Sequence, residues 1–445
     1  MTSLLANPNF RWLFGAQIWS LVGVGLLTVA LSLAAFRIDG AEAAGQVLGL
    51  LFALKMIAYV GLAPLAESLL AGVSRKVALV SLDIGRMLLL LPMALTTNIW
   101  VIAGLSFVFF ALFAGFTPLY QSTIPDVVAE EDVYVRTLSW SRIAYTLEAV
   151  LSPVIAGLLL TALAGESLFL VASVAFAGSI GAILFARIPP HGLETTKTPF
   201  WQRVSKGVSI YVRTPRLRGL FLFNFALSLA MGWVLVNSVV YAGARLGSSE
   251  TYFPVLMDFY GLGAAIGAVF VPRLVKRLQE RRVMSGGAFL FAVVGVVFAL
   301  LPNPPLSALA VVWVGFGLAS SLVLTPGGVV ITRSAQKADR AAVFAAQFSL
   351  SHAGWLVAYP LAGWMATWVS LEMAMLILSL ACATVTMVTL RVWPANDPLE
   401  RAHSHPELPA DHPHLRETKT SGPNHQHFHP YRIDDLHPHW SNGAA

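Results

Sequence analysis

The chain has 445 residues, of which 56% are hydrophobic and only 12% are charged. Soluble domains carry about 25% charged residues, so this composition excludes an ordinary soluble protein and predicts a chain that is largely embedded in lipid. The formal net charge of +6 does not indicate a nucleic-acid partner, because the basic residues cluster in short loops between apolar runs. The single cysteine, Cys382, excludes a disulfide framework.

Twelve apolar runs are long enough to span a bilayer, which takes about 20 residues per helix. They lie near residues 12–36, 46–66, 77–96, 99–121, 138–163, 167–187, 218–242, 253–275, 283–301, 306–332, 342–367 and 370–392, and we number them spans 1 to 12. The connections are short except for 188–217 and the tail after Trp393. The pattern predicts an all-α membrane protein that crosses the bilayer many times.

Lysine and arginine are concentrated in alternate loops. They occupy the loops after spans 2, 8 and 10 and the central loop, whereas the alternate loops, after spans 1, 3, 5, 7, 9 and 11, hold only Arg37 and Arg245. Short cytoplasmic loops carry such an excess of positive charge. We therefore expect both termini to be cytoplasmic.

The two halves of the chain repeat. Arg75-Lys76-Val77 recurs as Arg281-Arg282-Val283 after 206 residues, and Thr117-Pro118 recurs as Thr325-Pro326 after 208. A parallel six-plus-six repeat is typical of transporters with a site near the membrane midplane. We expect two six-helix halves, a cytoplasmic linker with an amphipathic helix at 200–213 on the membrane surface, and a histidine-rich cytoplasmic tail, with bounds at 1–187, 188–217, 218–392 and 393–445.

Four ionisable residues lie deep inside predicted spans: Lys55, Glu148, Asp258 and His352. A charge at this depth costs about 2.5–3.5 kcal/mol and usually faces a cavity or a partner. A buried carboxylate can take a proton from one side and release it on the other, so we expect Glu148 to couple transport to protons, with Asp258 as second candidate. Two structural alternatives stay open, an ion pair of Lys55 with Glu148 and a hydrogen-bonded His352 between packed helices.

Further polar residues complete the predicted site. Gln17, Asn224 and Asn237 lie on spans 1 and 7, where they either line a cavity or form hydrogen bonds between helices. Asp83 and Arg86 lie nearer the cytoplasmic ends, where we expect gate ion pairs or side chains that extend to the interface.

The tail holds nine of the eleven histidines, all within the last 43 residues. They are His403, His405, His412, His414, His425, His427, His429, His437 and His439. In an extended His-x-His pair both imidazoles point to one side, and two pairs can fold over one ion of nickel, cobalt, zinc or copper. Other interpretations are an appended tag, a disordered pH-responsive tail, and a docking segment from Ile433 to Trp440 that packs on the cytoplasmic face.

Several segments resemble the major facilitator superfamily, in particular its third drug:proton antiporter group. The segments are 75–86 with its Asp-x-x-Arg, 124–128, Ser152-Pro153-x-x-x-Gly157 and 207–218. The resemblance covers about residues 8–392 and implies the major facilitator fold, with span 2 facing span 11 and span 5 facing span 8. It would set Lys55 opposite His352 and Glu148 opposite Asp258.

The resemblance also implies a gate in the loop after span 2. Of the family's pattern there, the basic pair Arg75 and Lys76 remains, but Ala71-Gly72 replace the Asp-Arg before it. We therefore expect either that Glu67 or Asp83 supplies the missing carboxylate or that the gate differs from the family's.

A permease of this type with a histidine-rich tail is similar to bacterial nickel-resistance permeases. This likeness predicts a non-enzymatic, proton-coupled exporter of divalent metal ions, nickel or cobalt first, that works as a monomer in the bacterial inner membrane. We expect no cofactor for the body, and Ni, Co or Zn bound by the tail.

Two other functions stay open. The alternative substrate is a small organic molecule such as a drug or siderophore, because Lys55 would repel a metal ion; the tail would then sense metal. A third hypothesis is a metal sensor or partner-docking protein with a transporter-like body.

Overall fold

The computed structural model describes residues 8–128, 130–189, 199–398, 400–403, 427–434, 436–437 and 439–440. Helices dominate the described chain. The N-terminal half holds α1 (Pro8–Leu70), α2 (Arg75–Leu95), α3 (Ile99–Val127), α4 (Glu131–Leu160) and α5 (Ser167–Phe185). The linker holds α6 (Phe200–Arg213). The C-terminal half holds α7 (Pro215–Leu246), α8 (Ser249–Leu300), α9 (Leu306–Leu324), α10 (Gly327–Ser334), α11 (Arg340–Trp368) and α12 (Leu371–Val392), and the tail adds β1 (Glu400–His403) and β2 (His427–Pro430).

All twelve predicted spans fall on helices, although not one to one. Spans 1 and 2 lie in the 63-residue α1. Spans 8 and 9 lie in α8, which changes direction at Gln279, a residue with positive φ (65°). Span 10 is divided into α9 and α10 at Thr325-Pro326, where proline lacks the N–H that a continuous helix needs. The prediction of an all-α membrane protein is confirmed.

Each half has its own aromatic core. In the C-terminal half Trp313 packs edge-on against Phe298 and Phe316, with ring centroids 5.4 and 5.7 Å away. In the N-terminal half Phe109 contacts Phe110 and Phe176 at 5.7 and 5.6 Å. Edge-to-face aromatic pairs contribute about 0.5–1.5 kcal/mol beyond their buried area, so each half is a well-packed unit.

Glycines let α8 and α9 pack backbone against backbone. A Cβ added at Gly263 would lie 2.0 Å from the carbonyl oxygen of Val314, and one added at Gly317 would lie 1.9 Å from that of Tyr260. Gly267 faces α9 in the same way, with the Leu318 oxygen 2.9 Å from a Cβ. The Gly263-x-x-x-Gly267 spacing is therefore a helix-packing motif.

The linker helix α6 matches the amphipathic helix predicted at 200–213. It packs on the start of α11, where the Lys206 ammonium pairs with Asp339 at 2.6 Å. A Cβ at Gly207 would lie 2.2 Å from the Ala342 oxygen. Deeper along the same helices, the Tyr211 hydroxyl donates to the side chain of Gln347.

Gly263→Ala should destabilise the protein, because the new methyl group meets a backbone oxygen that cannot move aside. We expect the free energy of unfolding to fall by about 1–3 kcal/mol, seen as a lower melting temperature in detergent. Cys382 is the only thiol in the sequence and is buried, so a thiol-reactive dye reports unfolding. Gly286→Ala is the matched control, since nothing lies within 4 Å of its added Cβ; equal losses for both variants would contradict the packing account.

Candidate functional site

A cavity of about 450 Å³ lies between the two halves. Its walls come from α1, α3 and α4 on one side and from α7, α9, α10 and α11 on the other. Five of the residues predicted from sequence line it: Gln17, Lys55, Glu148, Asn224 and His352. The cavity therefore brings Lys55 and Glu148 of the N-terminal half together with Asn224 and His352 of the C-terminal half.

Lys55 sits among aromatic rings in the wall formed by α1. Its ammonium lies 5.5 Å from the ring centre of Phe110 and 5.6 Å from that of Tyr59. Such contacts stabilise a cation by about 0.5–2 kcal/mol. Lys55 also interacts electrostatically with Glu148. The structure describes both side chains, and they form no direct ion pair with each other. The positive charge therefore remains directed at the cavity.

Glu148 approaches the backbone of α1 at a glycine. An added Cβ at Gly25 would lie 1.9 Å from the Ser152 hydroxyl and 2.8 Å from a carboxylate oxygen of Glu148. Ser152, one turn further along α4, is hydrogen-bonded to the Glu148 carboxylate. The position of this carboxylate thus depends on the residue at position 25 of α1 being a glycine.

His352 faces Lys55's helix, as the resemblance implies. Its ring meets Tyr59 edge-on at 4.8 Å and Phe348 at 4.3 Å. Its Nδ1 lies 2.7 Å from the Phe348 carbonyl oxygen, and because that oxygen only accepts, Nδ1 carries the proton. His352 is therefore hydrogen-bonded within its own helix, and not between helices as the structural alternative supposes, and it lines the cavity.

Gln17 and Asn224 complete the polar part of the wall. Gln17 accepts hydrogen bonds from the hydroxyls of Ser141 at 2.9 Å and Tyr120 at 3.5 Å. The Asn224 amide donates to the Leu220 carbonyl of its own helix at 2.8 Å. Gln17 thereby ties α1 to α3 and α4 at the cavity.

Two predicted residues lie away from the cavity. Asp258 is exposed and shares a helical stripe with the exposed apolar residues Leu262, Ile266 and Phe270, so the structure does not set it opposite Glu148. The sequence predicts how deep Asp258 lies along span 8, but it does not predict which way the side chain faces. Asn237 is buried and donates to the Ala362 carbonyl at 3.0 Å, which is the alternative of a hydrogen bond between helices.

Much of the cavity wall is aromatic, and the sequence did not identify it. Tyr59, Phe113, Tyr120, Tyr145, Phe344 and Phe348 line it together with Gln121 and Gln347. Aromatic residues in apolar spans look the same whether they fill a core or face a cavity, so only the angular position of each helix separates the two. The resulting site is apolar, with a few polar groups, as is typical for organic ligands.

The Asp83–Arg86 pair lies inside the N-terminal half. Both side chains are fully buried, and the Asp83 carboxylate also accepts from the Ser179 hydroxyl at 2.7 Å. The Arg86 guanidinium lies over the rings of Phe116 at 4.0 Å and Phe176 at 4.7 Å. The pair therefore joins α2, α3 and α5 and does not bridge the halves, in contrast to the predicted gate role.

Asp126 connects the halves at what we call the basic face, the surface that carries Arg75, Lys276, Arg333, Lys337 and Arg340. Its carboxylate is 3% exposed and forms an ion pair with Arg75 of the N-terminal half. From the C-terminal half Arg340 approaches it to 3.4 Å and Lys337 to 3.9 Å. Asp126, at the end of α3, is thus the carboxylate that braces Arg75, which matches the alternative of a different gate and not the substitution by Glu67 or Asp83.

Other contacts also close the basic face. Lys276 of α8 pairs with Asp132 of α4 at 2.7 Å. Arg333 pairs with Glu131 of the N-terminal half and Glu280 of its own half. Lys76 stays within the N-terminal half, where it donates to the carbonyls of Leu184 at 2.6 Å and Ala186 at 3.0 Å, near the end of α5, where positive charge is favourable.

The tail docks on the basic face of the C-terminal half. Asp397 accepts hydrogen bonds from Arg216 at 3.1 Å and from Arg401 at 2.9 Å. The ring of Trp440 covers both guanidinium groups, at 5.2 and 4.8 Å, and Ile433 is 3% exposed. The alternative of a docking segment at 433–440 is therefore confirmed.

Three histidines of the tail converge. β1 and β2 pair antiparallel, with Arg401 opposite His429 and His403 opposite His427. His403, His429 and His437 each offer a ligand atom, and these atoms lie within 4.8 Å of one another. Among the other predicted metal ligands, His439 is exposed. His405, His412, His414 and His425 lie outside the described residues.

Asp434 orients this cluster. It accepts from the backbone N–H groups of Leu436 and His437 and from His437 Nδ1, at 2.9, 2.7 and 2.7 Å. Burial acts to raise the pKa of Asp434, but the hydrogen bonds from His437 outweigh it and hold that pKa below its usual range. The carboxylate is therefore ionised at neutral pH.

Asp126→Asn should loosen the basic face, because the amide no longer neutralises the three cations around it. A loss of about 1 kcal/mol raises the open fraction about fivefold. A cysteine in place of Ser141, which lines the cavity, should then react correspondingly faster with an impermeant thiol reagent applied from the basic face. Asp132→Asn is the matched control: it also removes a bridge between the halves, but that pair is 61–70% exposed and contributes little.

Comparisons with known proteins bear on both fold and family. The sequence profile of the Major Facilitator Superfamily matches residues 220–423. An uncharacterized MFS-type transporter of Sinorhizobium fredii is 26% identical over 145 residues, which make up 32% of this chain and 36% of that relative. This match spans about a third of the relative's length.

Solved structures extend the likeness to most of the chain. The human organic anion transporter MFSD10 superposes with a TM-score of 0.69 at 13% identity, covering 87% of this chain and all of that one (100%). A variant of the fucose:proton symporter FucP of Escherichia coli gives 0.68 at 15% identity over 86% of this chain and 98% of that one. The chain therefore has the major facilitator fold, and the match of its C-terminal half to the Major Facilitator Superfamily supports a function in membrane transport.

Proposed function

We propose that this protein is a proton-coupled transporter of a small organic anion. The anion would cross the membrane through the cavity between the halves, which would open to each side in turn (alternating access). The observation that carries the proposal is that Lys55 and Glu148, one basic and one acidic residue, both line one aromatic-walled cavity of about 450 Å³. That volume falls within the range of small-molecule sites, about 300–1,000 Å³.

Lys55 is the group that would select an anion. Its ammonium lies among the rings of Phe110 and Tyr59, where water is replaced by apolar surface. A carboxylate or similar group on the cargo would form a charge-assisted hydrogen bond with it, which is roughly twice as strong as a neutral one. The surrounding aromatic rings would contact the apolar part of the same molecule.

Glu148 is the group that would couple the cargo to protons. While it is ionised, its charge offsets that of Lys55 and weakens the attraction for an anion. Once protonated, it leaves the charge of Lys55 available to the cargo. Anion and proton therefore bind best together, and the transporter carries both across the membrane in the same direction.

The fold is compatible with this proposal. One structural relative is an organic anion transporter and another is a sugar:proton symporter. One fold serves many cargoes, so the proposal depends on Lys55 and Glu148.

The second candidate function is the one favoured from the sequence, export of nickel or cobalt in exchange for protons. The histidine cluster of the tail supports it, and Glu148 could bind either the metal or a proton. Lys55 weighs against it, because a divalent ion about 6 Å from an ammonium is destabilised by about 5 kcal/mol at an effective dielectric constant of about 20.

Proteoliposomes with an internal pH dye would separate the two functions. With an inward gradient of small carboxylates such as benzoate, lactate or citrate, we expect protons to enter with at least one anion. With NiCl₂ or CoCl₂ we expect no proton movement. Proton movement opposite to nickel or cobalt, without any response to the anions, would support metal export and overturn the anion proposal.

Variants of cavity residues should affect anion binding and proton coupling separately. Lys55→Gln should raise the KM for the anion about tenfold or more, since a lost charge-assisted contact costs about 1.5–3 kcal/mol. Glu148→Gln should still bind the anion but abolish proton movement. Asp258→Asn is the matched control, because that carboxylate is exposed and outside the cavity wall; loss of coupling there instead would contradict the role of Glu148.

A further inference from the structure

The three converging imidazoles of the tail have their ring protons fixed. His403 Nδ1 lies 3.1 Å from the Arg401 carbonyl oxygen, and His429 Nδ1 lies 3.0 Å from that of Pro430. His437 Nδ1 lies 2.7 Å from the Asp434 carboxylate. Carbonyl and carboxylate oxygens only accept hydrogen bonds, so each Nδ1 is a donor. In the neutral imidazoles, Nε2 therefore carries the lone pair.

Two of these lone pairs point at one another. The Nε2 atoms of His403 and His437 are 2.9 Å apart, and two neutral acceptors at that distance repel unless a proton or a metal ion is shared between them. A proton would satisfy this one pair, whereas a metal ion would also use the ligand atom of His429. In a tetrahedral site with metal–nitrogen bonds of about 2.0–2.1 Å, the nitrogens are separated by about 3.4 Å. The ligand atoms of the cluster, all within 4.8 Å of one another, need only small shifts to reach it.

The surroundings also resemble those of a metal site. A histidine ligand is usually oriented by a hydrogen bond from its other ring nitrogen to a carboxylate or a backbone carbonyl, and all three rings have such a partner. The rings are packed, with centroid distances of 4.5 Å for His403–His429 and 4.8 Å for His403–His437. His437 is 2% exposed, so the histidine cluster is a folded site and not a solvated tract.

We propose that His403, His429 and His437 bind one divalent transition metal ion, of the zinc, cobalt and nickel class, and that this ion locks the tail onto the basic face. Three neutral imidazoles leave a fourth position for water or another ligand. Nitrogen ligands of this kind suit these ions.

The site is connected to the gate by direct contacts. Asp434, which holds His437, also accepts from the side chain of Gln336 at 2.5 Å, just after α10. The neighbouring Arg432 donates to the Arg333 carbonyl at 3.4 Å, and the Arg333 side chain pairs with both halves. Metal bound in the tail would therefore stabilise the segment that carries Arg333 of the basic face, as a regulator distinct from any cargo in the cavity.

Binding can be measured on the full-length protein in detergent with Co²⁺ as the probe, by visible absorption, and with Zn²⁺ by calorimetry. The test variant combines His403→Gln, His429→Gln and His437→Gln, and we expect the tightest binding event to weaken by at least about 100-fold. The matched control combines His405→Gln, His412→Gln and His414→Gln, which removes equally many imidazoles and should keep that event. Equal effects of both triple variants, or no effect of the first, would overturn the proposed site.

A second measurement tests the lock. Hydrogen exchange of residues 427–440 should slow when Zn²⁺ is added to the intact chain and should not change in the test variant. Asp434→Asn should weaken Co²⁺ binding about tenfold and lose the slowing, although all three ligands remain. If Zn²⁺ binds at the cluster without slowing exchange in 427–440, the metal site stands but the lock does not. The readouts are independent of the cargo, so failure of the anion proposal would leave this result interpretable.

Discussion

The closed arrangement of this protein depends on one buried carboxylate that is shared by cations from both halves. Asp126 ends α3 and binds Arg75 beside it, while Arg340 and Lys337 reach it from the other half. A single carboxylate facing three positive charges in a site with little water favours only one arrangement of the halves. Because the halves meet there, the space between α1, α4 and α11 is covered on the basic face and becomes a cavity.

The chemistry of that cavity follows from which charges are left unneutralised. Arg86 and Asp83 satisfy each other within the N-terminal half, and Asn237 is used to join helices. Lys55 and Glu148 are near enough to influence one another but do not form a direct ion pair. A cargo and a proton can therefore change the balance between them, whereas the same exchange at Asp83 would break a folded core.

The sequence predicted the properties that depend on the length of an apolar run and on how far a residue lies within it. Apolar run lengths predicted twelve spans that all fall on helices, and counting residues into them found Lys55, Glu148 and His352 at the cavity. Counting could not tell which way a side chain faces, so Asp258 was expected beside Glu148 although it lies on an exposed stripe of α8. Asp126 was missed as the brace of Arg75 because the two are 51 residues apart. The tail shows the same limit: its histidines predict a metal site, but which three meet is decided by the pairing of β1 with β2 and by the contact of His437 with Asp434.

Gly25 has a consequence that extends beyond this chain. Its lack of a side chain leaves room for Ser152 and Glu148 against α1, so the carboxylate's place depends on a residue that carries no chemistry of its own. Natural selection acting on position 148 must then also act on position 25. Among related transporters the two positions should covary. A residue larger than glycine at position 25 should accompany a shorter acid, or no acid, at position 148.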